Sequence, residues 1–557
     1  MKFKVQNSKF KIEKKESGIK DLINILLVNR GAKTKKEIEE FLNPKLKNVS
    51  TNSVGINKKQ LSKAVSRIQN AIKNKENIVV FGDYDVDGIC GTAILWETLN
   101  SLGAKVMPYI PHRIDEGYGL SLAGISNLKS QISNVRLIIT VDNGIVANKA
   151  VDFANDQDID VIITDHHVPS KVLPKAFATV HTTKLCGTGV AYILSQEIQK
   201  ILNTKCLIHN THLELVALAT VADLVPLKGA NRTLLKFGLE QLQKTTRRGL
   251  LELFKEAGLQ KDAIGVYEIG HMIAPRLNAM GRLEYAMDSL RLICTNNKKR
   301  AEDLAYLLGS TNKERQDLTL QNVLHAIERV KKQKSKVKNL LFIVHESYEQ
   351  GVIGLVAGKL VEEFYKPAIV VSKGERYSKA SARSVSGFNI IEFIRSASEL
   401  LVDAGGHPMA AGFTVETTKL LKLQKVLEEK AELILTEDLL IRSLKIDCEL
   451  PLEFIDINLY ESLQKLAPFG MGNPEPVFIS RNVVIEDIRL VGMEGKHLKI
   501  NVKCQMSNVK FGGIGFGMGE MFSKIKIGDR IDIAYTIDIN EWNGEQRLQL
   551  KIKDIMN

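Results

Sequence analysis

The sequence predicts an α/β protein in which two sheet-containing domains are followed by a small β-barrel. Apolar, β-rich runs alternate with helical stretches from about residue 76, a second alternation begins near residue 337, and the chain turns β-rich beyond about residue 445. Strands that are apolar on both faces and alternate with helices form parallel sheets covered by helices. A chain of 557 residues is also too long for one hydrophobic core.

We therefore expect five segments along the chain. They are an N-terminal helical segment (1–70), a parallel-sheet domain (71–300), a connecting helix (301–336), a second α/β domain (337–440) and a β-barrel (445–557). The connecting helix is predicted because its segment is long and contains no glycine after Gly309. The barrel is predicted because several β-rich runs follow one another near the end of the sequence.

The composition is that of an ordinary globular protein, with 44% hydrophobic and 25% charged residues. Lys and Arg total 77 against 64 Asp and Glu, which is compatible equally with a nucleic-acid ligand and with a lysine-rich solvated surface. The six cysteines form no CxxC pair, which favours a reducing cytoplasm over a disulfide framework or a zinc site. No apolar run approaches the ~18 residues of a membrane span, so we expect a cytoplasmic protein without a membrane partner.

Acidic residues and histidines follow three predicted strands of the first domain, and one more acid follows a helix-like segment. They are Asp83, Asp85 and Asp87 in "DYDVDG", Asp142 in "DNG", Asp165, His166 and His167 in "DHH", and Asp223 in "VADLVPL". The carboxyl ends of parallel strands meet at one edge of a sheet, where ligands bind. Crowded carboxylates repel one another unless a cation compensates them. Carboxylates with imidazoles suit manganese or magnesium, and a pair of such ions could bind an attacking hydroxide and a phosphodiester.

Each of these motifs has a simpler interpretation when it is taken alone. Asp-Asn-Gly is most often a turn, a His-His pair is most often a surface or core feature, and DxDxDG resembles part of a calcium loop. A calcium loop of the EF-hand type is disfavoured because the apolar "ICGTAIL" follows where further oxygen ligands should lie. The placement of all the motifs at consecutive strand ends favours a metal site.

The order of the motifs resembles the DHH phosphoesterase superfamily and, within it, the RecJ family of single-strand-specific 5′→3′ DNA exonucleases. Other segments resemble that family in the same order, among them "YIPHRIDEGYGL", "LCGTGVAYIL", "IAPRLNAMGRL", "GVIGLVAGKL", "DAGGHPMAAGFTV" and "LAPFGMGNPEPVF". The resemblance extends from about residue 20 to the C-terminus. It implies a DHH catalytic domain, a second α/β domain that grips nucleic acid, and a C-terminal barrel of the OB type that binds single strands.

The resemblance also implies roles for individual residues. Two metal ions would be held by Asp85, Asp87, Asp142, His166 and Asp223, with Asp142 as the bridging ligand and Asp83 as a further ligand or a supporting residue. His167 would lie near the scissile phosphate, and Asp165 would orient the histidines. The residues implied in substrate binding are Arg113, Tyr118, Arg276, Asn278, Arg282, Arg383, Ser384, Gly405, Gly406 and His407.

Within that set, Arg383, Ser384 and the loop at 405–407 would hold phosphates, and Tyr118 would stack a base. The sequence departs from the family pattern at two places. Glu349 stands where family members usually have His, and His181 stands in a segment where Asn-Pro is common. Both departures concern local substrate contacts rather than the metal acids.

The implied function is a single-stranded-DNA-specific 5′→3′ exonuclease of DNA repair and recombination, which uses two manganese or magnesium ions and releases 5′-mononucleotides. The resemblance implies a helicase and a single-strand-binding protein as partners, and the fused α/β pair favours a monomer. One alternative is a phosphodiesterase of the superfamily that acts on short oligonucleotides or cyclic dinucleotides, which the chain length disfavours. A catalytically inactive replication scaffold is disfavoured because all the metal acids are present.

Overall fold

The computed structural model describes residues 2–7, 15–113, 115–201, 212–332, 339–505, 507, 509–542 and 544–556. The chain divides into two units. One consists of Met1–Lys45, Pro226–Arg232 and Arg442–Asn557, and the other of Leu46–Val225 and Thr233–Ile441. Among the described residues, no helix combines the length and the apolar character that crossing a membrane requires.

The strands and helices follow one another along both units. The strands are β1 (Lys2–Val5), β2 (Asn77–Phe81), β3 (Lys105–Tyr109), β4 (Val135–Val141), β5 (Asp160–Asp165), β6 (Ala178–His181), β7 (Leu341–His345), β8 (Ala368–Ser372), β9 (Tyr377–Arg383), β10 (Leu401–His407), β11 (Ala410–Glu416), β12 (Ser443–Ile446), β13 (Cys448–Glu449), β14 (Phe478–Val491), β15 (His497–Lys503), β16 (Lys510–Gly515), β17 (Arg530–Trp542) and β18 (Glu545–Met556). The α-helices are α1 (Lys15–Asn29), α2 (Lys35–Leu42), α3 (Thr51–Val54), α4 (Lys58–Lys73), α5 (Val86–Ser101), α6 (Leu122–Gln131), α7 (Asn148–Asn155), α8 (Gly187–Ile201), α9 (Leu213–Ala222), α10 (Gly229–Gln243), α11 (Arg248–Glu256), α12 (Val266–Glu268), α13 (Ala274–Leu283), α14 (Met287–Cys294), α15 (Lys298–Lys332), α16 (Ile353–Phe364), α17 (Ile390–Arg395), α18 (Leu420–Ile434) and α19 (Ile457–Gln464).

The larger unit begins with a sheet of five parallel strands in the order β3-β2-β4-β5-β6. The two strands β4 and β5 are buried along almost their whole length, which explains their near-continuous apolar sequences. The helices between the strands cover the sheet, and the carboxyl ends of β2, β4 and β5 lie side by side at one edge. The predicted parallel sheet is confirmed.

The same unit contains a second sheet with the strand order β10-β11-β9-β8-β7. Only β7 and β8 are parallel, and the other neighbours are antiparallel. The 35-residue helix α15 precedes this sheet, as predicted, although it begins three residues before residue 301. Residues 333–336 of the predicted helix lie outside the described residues. The second α/β domain is therefore a mixed sheet with helices packed on it.

The smaller unit is built on a closed barrel. Strands β14, β15, β16, β18 and β17 pair in that order, and β14 pairs with β17 to close the ring. Its interior is filled by apolar side chains that include Phe478, Ile500, Ile533 and Leu550. The five-stranded closed barrel is consistent with the OB type. Lys2–Val5, within the segment expected to be helical, instead forms a strand that pairs in parallel with β12.

Candidate active site

The first acidic motif lies between strand β2 and helix α5. Asp85 is the N-cap of α5, and its side chain accepts hydrogen bonds from the backbone N–H groups of Asp87 (2.9 Å) and Gly88 (3.1 Å). A side chain at Gly88 would bring its Cβ within 2.5 Å of the backbone of Asp83, so only glycine fits there. Asp83 and Asp87 are each only 1% exposed. The turn therefore buries carboxylates that charge repulsion alone would keep in solvent.

Asp87 is held in place by the start of helix α8. The Gly187 N–H donates to its Oδ2 at 2.6 Å, and the Thr188 N–H donates to its Oδ1 at 2.7 Å. These are unpaired donors at a helix N-terminus, where a negative charge is favoured. A side chain at Gly187 would lie 2.6 Å from the Cβ of Asp142. We did not single out these two residues from the sequence, although the Gly-Thr-Gly start of α8 is the pattern that could have indicated them.

Asp142 follows strand β4 in a left-handed conformation, with φ at 63°. Asp and Asn adopt this conformation more readily than most residues. Its neighbour Asn143 donates to the carbonyls of Val141 (2.8 Å) and Phe81 (3.3 Å) and accepts from the Leu120 N–H (3.1 Å). The Asn143 amide thus joins the ends of β2 and β4 and fixes where Asp142 sits.

Asp165, at the end of β5, organises the two histidines that follow it. Its Oδ1 accepts from the His166 N–H at 2.7 Å and lies 2.8 Å from Nδ1 of His167, while its Oδ2 accepts from the Ile145 N–H at 2.9 Å. Burial alone would lower the pKa of His167, but the hydrogen bond and charge of Asp165 raise it to about 9. The His167 Nε2 atom faces the Tyr118 hydroxyl at 3.3 Å.

The acids and histidines of the four segments converge on one site. The His166 Nε2 atom lies 3.1 Å from Asp142 Oδ1, 3.6 Å from Asp223 Oδ2 and 3.7 Å from Asp87 Oδ2. Three sets of ligand atoms lie within 4.8 Å of one another: Asp83 with Asp85 and Asp142, Asp87 with His166 and Asp223, and Asp142 with His166 and His167. Asp142 and His166 each belong to two sets, so neighbouring ions would share this region.

The carboxyl groups of Asp142 and Asp223 have raised pKa values. Burial, followed by the charges of Asp87 and Asp85, raises the pKa of Asp142 well above its usual range. Burial and the charge of Asp87 also raise the pKa of Asp223 to about 9. Within the described part of the chain, Asp142 Oδ1 and His166 Nε2 have no hydrogen-bond partner. Two buried ligand atoms that lie 3.1 Å apart without a hydrogen bond, among further carboxylates, fit a manganese or magnesium ion.

A cleft of about 790 Å³ opens beside the cluster and extends to the second sheet. Of the residues that we expected to bind substrate, those that line it are Arg113, Tyr118, Arg282, Arg383 and Gly406. The Arg113 guanidinium lies over the Tyr84 ring, 5.1 Å from its centre. The His407 ring stacks beside His167 with 6.2 Å between the ring centres. The second sheet thus contributes to the same site as the metal-binding acids.

Three arginines line the cleft, namely Arg113, Arg282 and Arg383. Burial and then the charges of Arg113, Arg315 and Arg383 lower the pKa of Arg282 to about 10. In the part of the chain that the structure describes, none of these four arginines has an acidic side chain within ion-pair distance. Unpaired arginines at this density favour an anionic ligand. Arg315, on α15, lines a smaller neighbouring cavity with Arg282 and Asn278, and its segment "NKERQ" gives no indication of this position.

Four of the expected substrate-binding residues lie elsewhere. Arg276 is paired with Glu256 at 2.5 Å, and the Asn278 side chain accepts from the Val86 N–H at 2.9 Å and so supports the first acidic motif. The Ser384 hydroxyl is buried and donates to the Phe388 carbonyl at 2.7 Å. Gly405 lies on β10 opposite Gly412 and is not part of the cleft wall.

The two residues at which the sequence departs from the family pattern lie close to the site. The His181 Nε2 atom is 2.7 Å from the His167 carbonyl oxygen, so it supports the histidine segment. Glu349 lines the cleft, whose wall also contains the acidic residues Glu346 and Asp403.

Family models match three parts of the chain. The N-terminal domain of the DHH family matches residues 77–220, the DHHA1 domain matches residues 335–433 and the RecJ OB domain matches residues 446–554. The matches include the sheet with the acidic cluster, the second sheet and the barrel.

Proteins of known name are similar over most of the chain. The single-stranded-DNA-specific exonuclease RecJ of Bacillus subtilis is 37% identical over 96% of this chain and 68% of its own length. RecJ of Thermus thermophilus is 30% identical over 89% of this chain and 71% of its own length. The crystal structure of Thermus thermophilus RecJ with Mn²⁺ superposes with a TM-score of 0.83 at 27% identity, covering 100% of this chain and 79% of that one. The DHH, DHHA1 and RecJ OB domains follow one another in this chain, which is similar to RecJ over most of its length. The chain therefore belongs to the RecJ family.

Proposed function

We propose that the chain hydrolyses single-stranded DNA from its 5′ end, requires manganese or magnesium, and releases 5′-mononucleotides in DNA repair and recombination. The observation that carries the proposal is the buried cluster of carboxylates and histidines around Asp142, next to a cleft lined by unpaired arginines. The names of the similar proteins and the Mn²⁺ complex of the Thermus protein support it.

The site offers two groups of metal ligands that meet at Asp142 and His166. Asp83, Asp85 and Asp142 would form one group, and Asp87, His166 and Asp223 would form the other. Divalent ions held there supply Lewis-acid polarisation of a phosphodiester and activation of water. The protein contributes the fixed geometry, since backbone donors hold Asp85 and Asp87 before any ligand binds.

The remaining residues of the site orient the reacting phosphate. Asp165 holds His167 through Nδ1, which leaves Nε2 on the cleft side beside Tyr118, where it can hydrogen-bond to a phosphate oxygen. The Tyr118 side chain is 52% exposed, so its ring is free to stack on a base. Arg113, Arg282 and Arg383 bind the phosphates of the strand with paired N–H donors.

We further propose that the barrel adds affinity for single strands, that the protein acts as a monomer in the cytoplasm, and that a helicase and a single-strand-binding protein work with it. The barrel proposal is supported by the match to the RecJ OB domain. A reducing compartment is supported by the five described cysteines, which are all free.

The test uses the full chain with Mn²⁺ and DNA labelled at the 5′ end. We expect release of labelled mononucleotide from a single strand and not from a blunt duplex. Asp142→Ala is expected to abolish turnover and to retain DNA binding, because the arginines that bind phosphates are elsewhere in the cleft. Activity on dinucleotides alone would contradict the proposal in favour of a small-substrate phosphodiesterase, and no activity with either metal would indicate a scaffold.

A further inference from the structure

We propose that the outer face of helix α4 is a second nucleic-acid contact, which binds the sugar–phosphate backbone of a long single strand outside the cleft. The inference rests on the proposed function. An open groove of about 570 Å³ runs along this face, and its lining includes Lys58, Lys59, Lys63, Ser62, Ser66 and Phe177. We call it the α4 groove. Helix α4 precedes residue 77, where the match to the DHH family domain begins, whereas Phe177 lies within that match.

The α4 groove is strongly positive and lacks compensating acids. Helix α4, "KKQLSKAVSRIQNAIK", contains four lysines and one arginine and has no acidic residue. Arg67 is neutralised by Glu76 at 2.7 Å and by Asp160 at 2.6 Å. Among the described residues, no acidic side chain forms an ion pair with Lys58, Lys59 or Lys63. The groove therefore presents three uncompensated positive charges.

Two of the lysines stand where a helix disfavours positive charge. Lys58 and Lys59 occupy the first turn of α4, next to the positive end of the helix dipole. Ser, Asp and Glu are the residues that stabilise a first turn, and an anion bound there would do the same. Asn57 caps the helix by accepting from the Lys59 and Gln60 N–H groups, and an anion bound by Lys58 and Lys59 would add to that cap.

The polar side chains of the groove repeat along the helix. Lys59 and Lys63 are four residues apart, as are Ser62 and Ser66, so each pair lies on one face with a spacing of about 6 Å. An extended nucleic-acid strand presents its phosphates in a comparable row, and Lys and Ser side chains are common phosphate donors. Lys63 lies over the Phe177 ring, 4.5 Å from its centre, which holds the ammonium group at the groove.

The α4 groove is separate from the acidic cluster. Arg67 contacts Asp160, the first residue of β5, whereas Asp165 ends that strand next to the histidines. Gln60 accepts from the Thr179 N–H at 3.0 Å, so α4 lies along the edge strand β6. No residue of the cluster lines the groove. A strand bound there is not at the site of hydrolysis, and the contact therefore favours long substrates over short ones.

An acidic polypeptide is the other class of ligand that such a charge could attract. The observations favour nucleic acid, because the groove combines lysines with hydroxyl donors at a regular spacing and offers a single half-buried aromatic ring. A peptide would also need an apolar pocket for an anchoring side chain, and none of the groove's lining residues other than Phe177 is apolar.

The test compares the full chain with the double variant Lys59→Glu/Lys63→Glu by fluorescence anisotropy in EDTA, with a short oligothymidylate of about ten nucleotides and a long one of about sixty. We expect the variant to bind the long strand at least about fivefold more weakly and to bind the short one unchanged. The slope of log Kd against log salt for the long strand should fall by about 1.4, or about 0.7 for each lost phosphate contact. Hydrolysis of the short strand with Mn²⁺ should be unchanged.

The control is Lys422→Glu/Lys425→Glu, which makes the same charge change at two exposed lysines of α18, of which Lys425 lies 3.9 Å from Glu429, and should leave both affinities unchanged. Equal losses in the two variants would overturn the inference, since they would show an effect of net charge alone. It would also be overturned if Lys59→Glu/Lys63→Glu kept its affinity for the long strand and lost binding of polyglutamate. Failure of the unmodified chain to bind or degrade either strand would instead count against the proposed function.

Discussion

Arg247 forms a two-pronged ion pair with Glu97, in which Nη1 lies 2.6 Å from Oε1 and Nη2 lies 2.7 Å from Oε2. The Nε atom of the same guanidinium contacts Glu214 at 2.7 Å. Glu97 belongs to α5, whose first turn contains Asp87, and Glu214 belongs to α9, whose C-cap is Asp223. Arg247 therefore ties together two helices that each present a candidate metal ligand at their other end.

Glu97→Gln is expected to lower the free energy of unfolding by about 3 kcal/mol, because it leaves a mostly buried guanidinium with one acidic partner instead of two. Urea unfolding of the two proteins in EDTA measures the difference. The control is Asp303→Asn, which removes an exposed partner of Lys299 and should leave the free energy of unfolding almost unchanged. Similar effects of the two substitutions would contradict the structural role of the buried pair.

The stability that Glu97 contributes should depend on pH in a defined direction. Burial opposes its ionisation, but hydrogen bonds from Arg247 and His212 outweigh burial and lower its pKa from 4.5 to about 2. A carboxyl with a depressed pKa stabilises the folded state above its unfolded pKa and loses this effect as the pH falls toward the folded value. The stability difference between the wild type and Glu97→Gln should thus be full above about pH 5 and shrink between pH 4.5 and 2. Unfolding at a series of pH values measures it, and a constant difference would contradict the assignment.

The sequence allowed the parallel sheet and the acidic cluster to be predicted because both depend on local patterns. Buried strands have continuous apolar sequences, and the acids follow those strands directly, so the sheet alone brings Asp83, Asp142 and Asp165 to one edge. The cleft wall was harder to predict, because it depends on tertiary contacts. Asn278 accepts from a backbone N–H of another helix and Ser384 donates to a carbonyl four residues away, which no motif reveals.

Two further features could not be predicted because they depend on contacts between residues that are distant in sequence. Arg315 belongs to α15, in the segment predicted as a connecting helix, but which side chains of this helix line a cavity depends on packing against other elements. Lys2–Val5 forms a strand only because β12, more than 400 residues later, provides its partner. Local propensity is a weak guide when the contact that decides the structure is distant in sequence.

Asp142→Asn is expected to reduce turnover by about 1,000-fold or more and to abolish most of the thermal stabilisation by Mn²⁺, because Asp142 belongs to two of the three ligand sets. In EDTA the variant should be more stable than the wild type, since it removes a carboxyl group whose ionisation is opposed by burial and by the neighbouring carboxylates. Thermal unfolding with EDTA and with Mn²⁺ measures both effects.

Asp152→Ala provides the comparison for that experiment, because it removes an exposed acid of α7 without touching the cluster. It should keep both the turnover and the stabilisation by Mn²⁺. If Asp142→Asn kept the full Mn²⁺ stabilisation, the assignment of Asp142 to the metal centre would be wrong.

Asp165→Asn should lower kcat by about 10- to 100-fold and largely preserve the stabilisation by Mn²⁺. The reason is that Asp165 accepts from the backbone and orients His167, whereas it belongs to none of the three ligand sets. Steady-state hydrolysis of a short strand gives kcat, and thermal unfolding with Mn²⁺ reports metal binding. Loss of the Mn²⁺ stabilisation would instead place Asp165 among the metal ligands.

Arg383→Lys is expected to raise KM for single-stranded DNA by about tenfold with a smaller change in kcat, because lysine keeps the charge but cannot offer paired donors to a phosphate. Arg383 is well suited to this test, since it lines the cleft and its guanidinium donates to the Ser381 hydroxyl and the Ala382 carbonyl rather than to an acidic side chain of the described residues. Arg276→Lys is the matched control. Its guanidinium is engaged by Glu256 and the Met272 carbonyl outside the cleft, so KM should stay within about twofold of the wild type. A rise in KM for Arg276→Lys and none for Arg383→Lys would reverse the two assignments, and would place the path of the strand along α13 rather than along the second sheet.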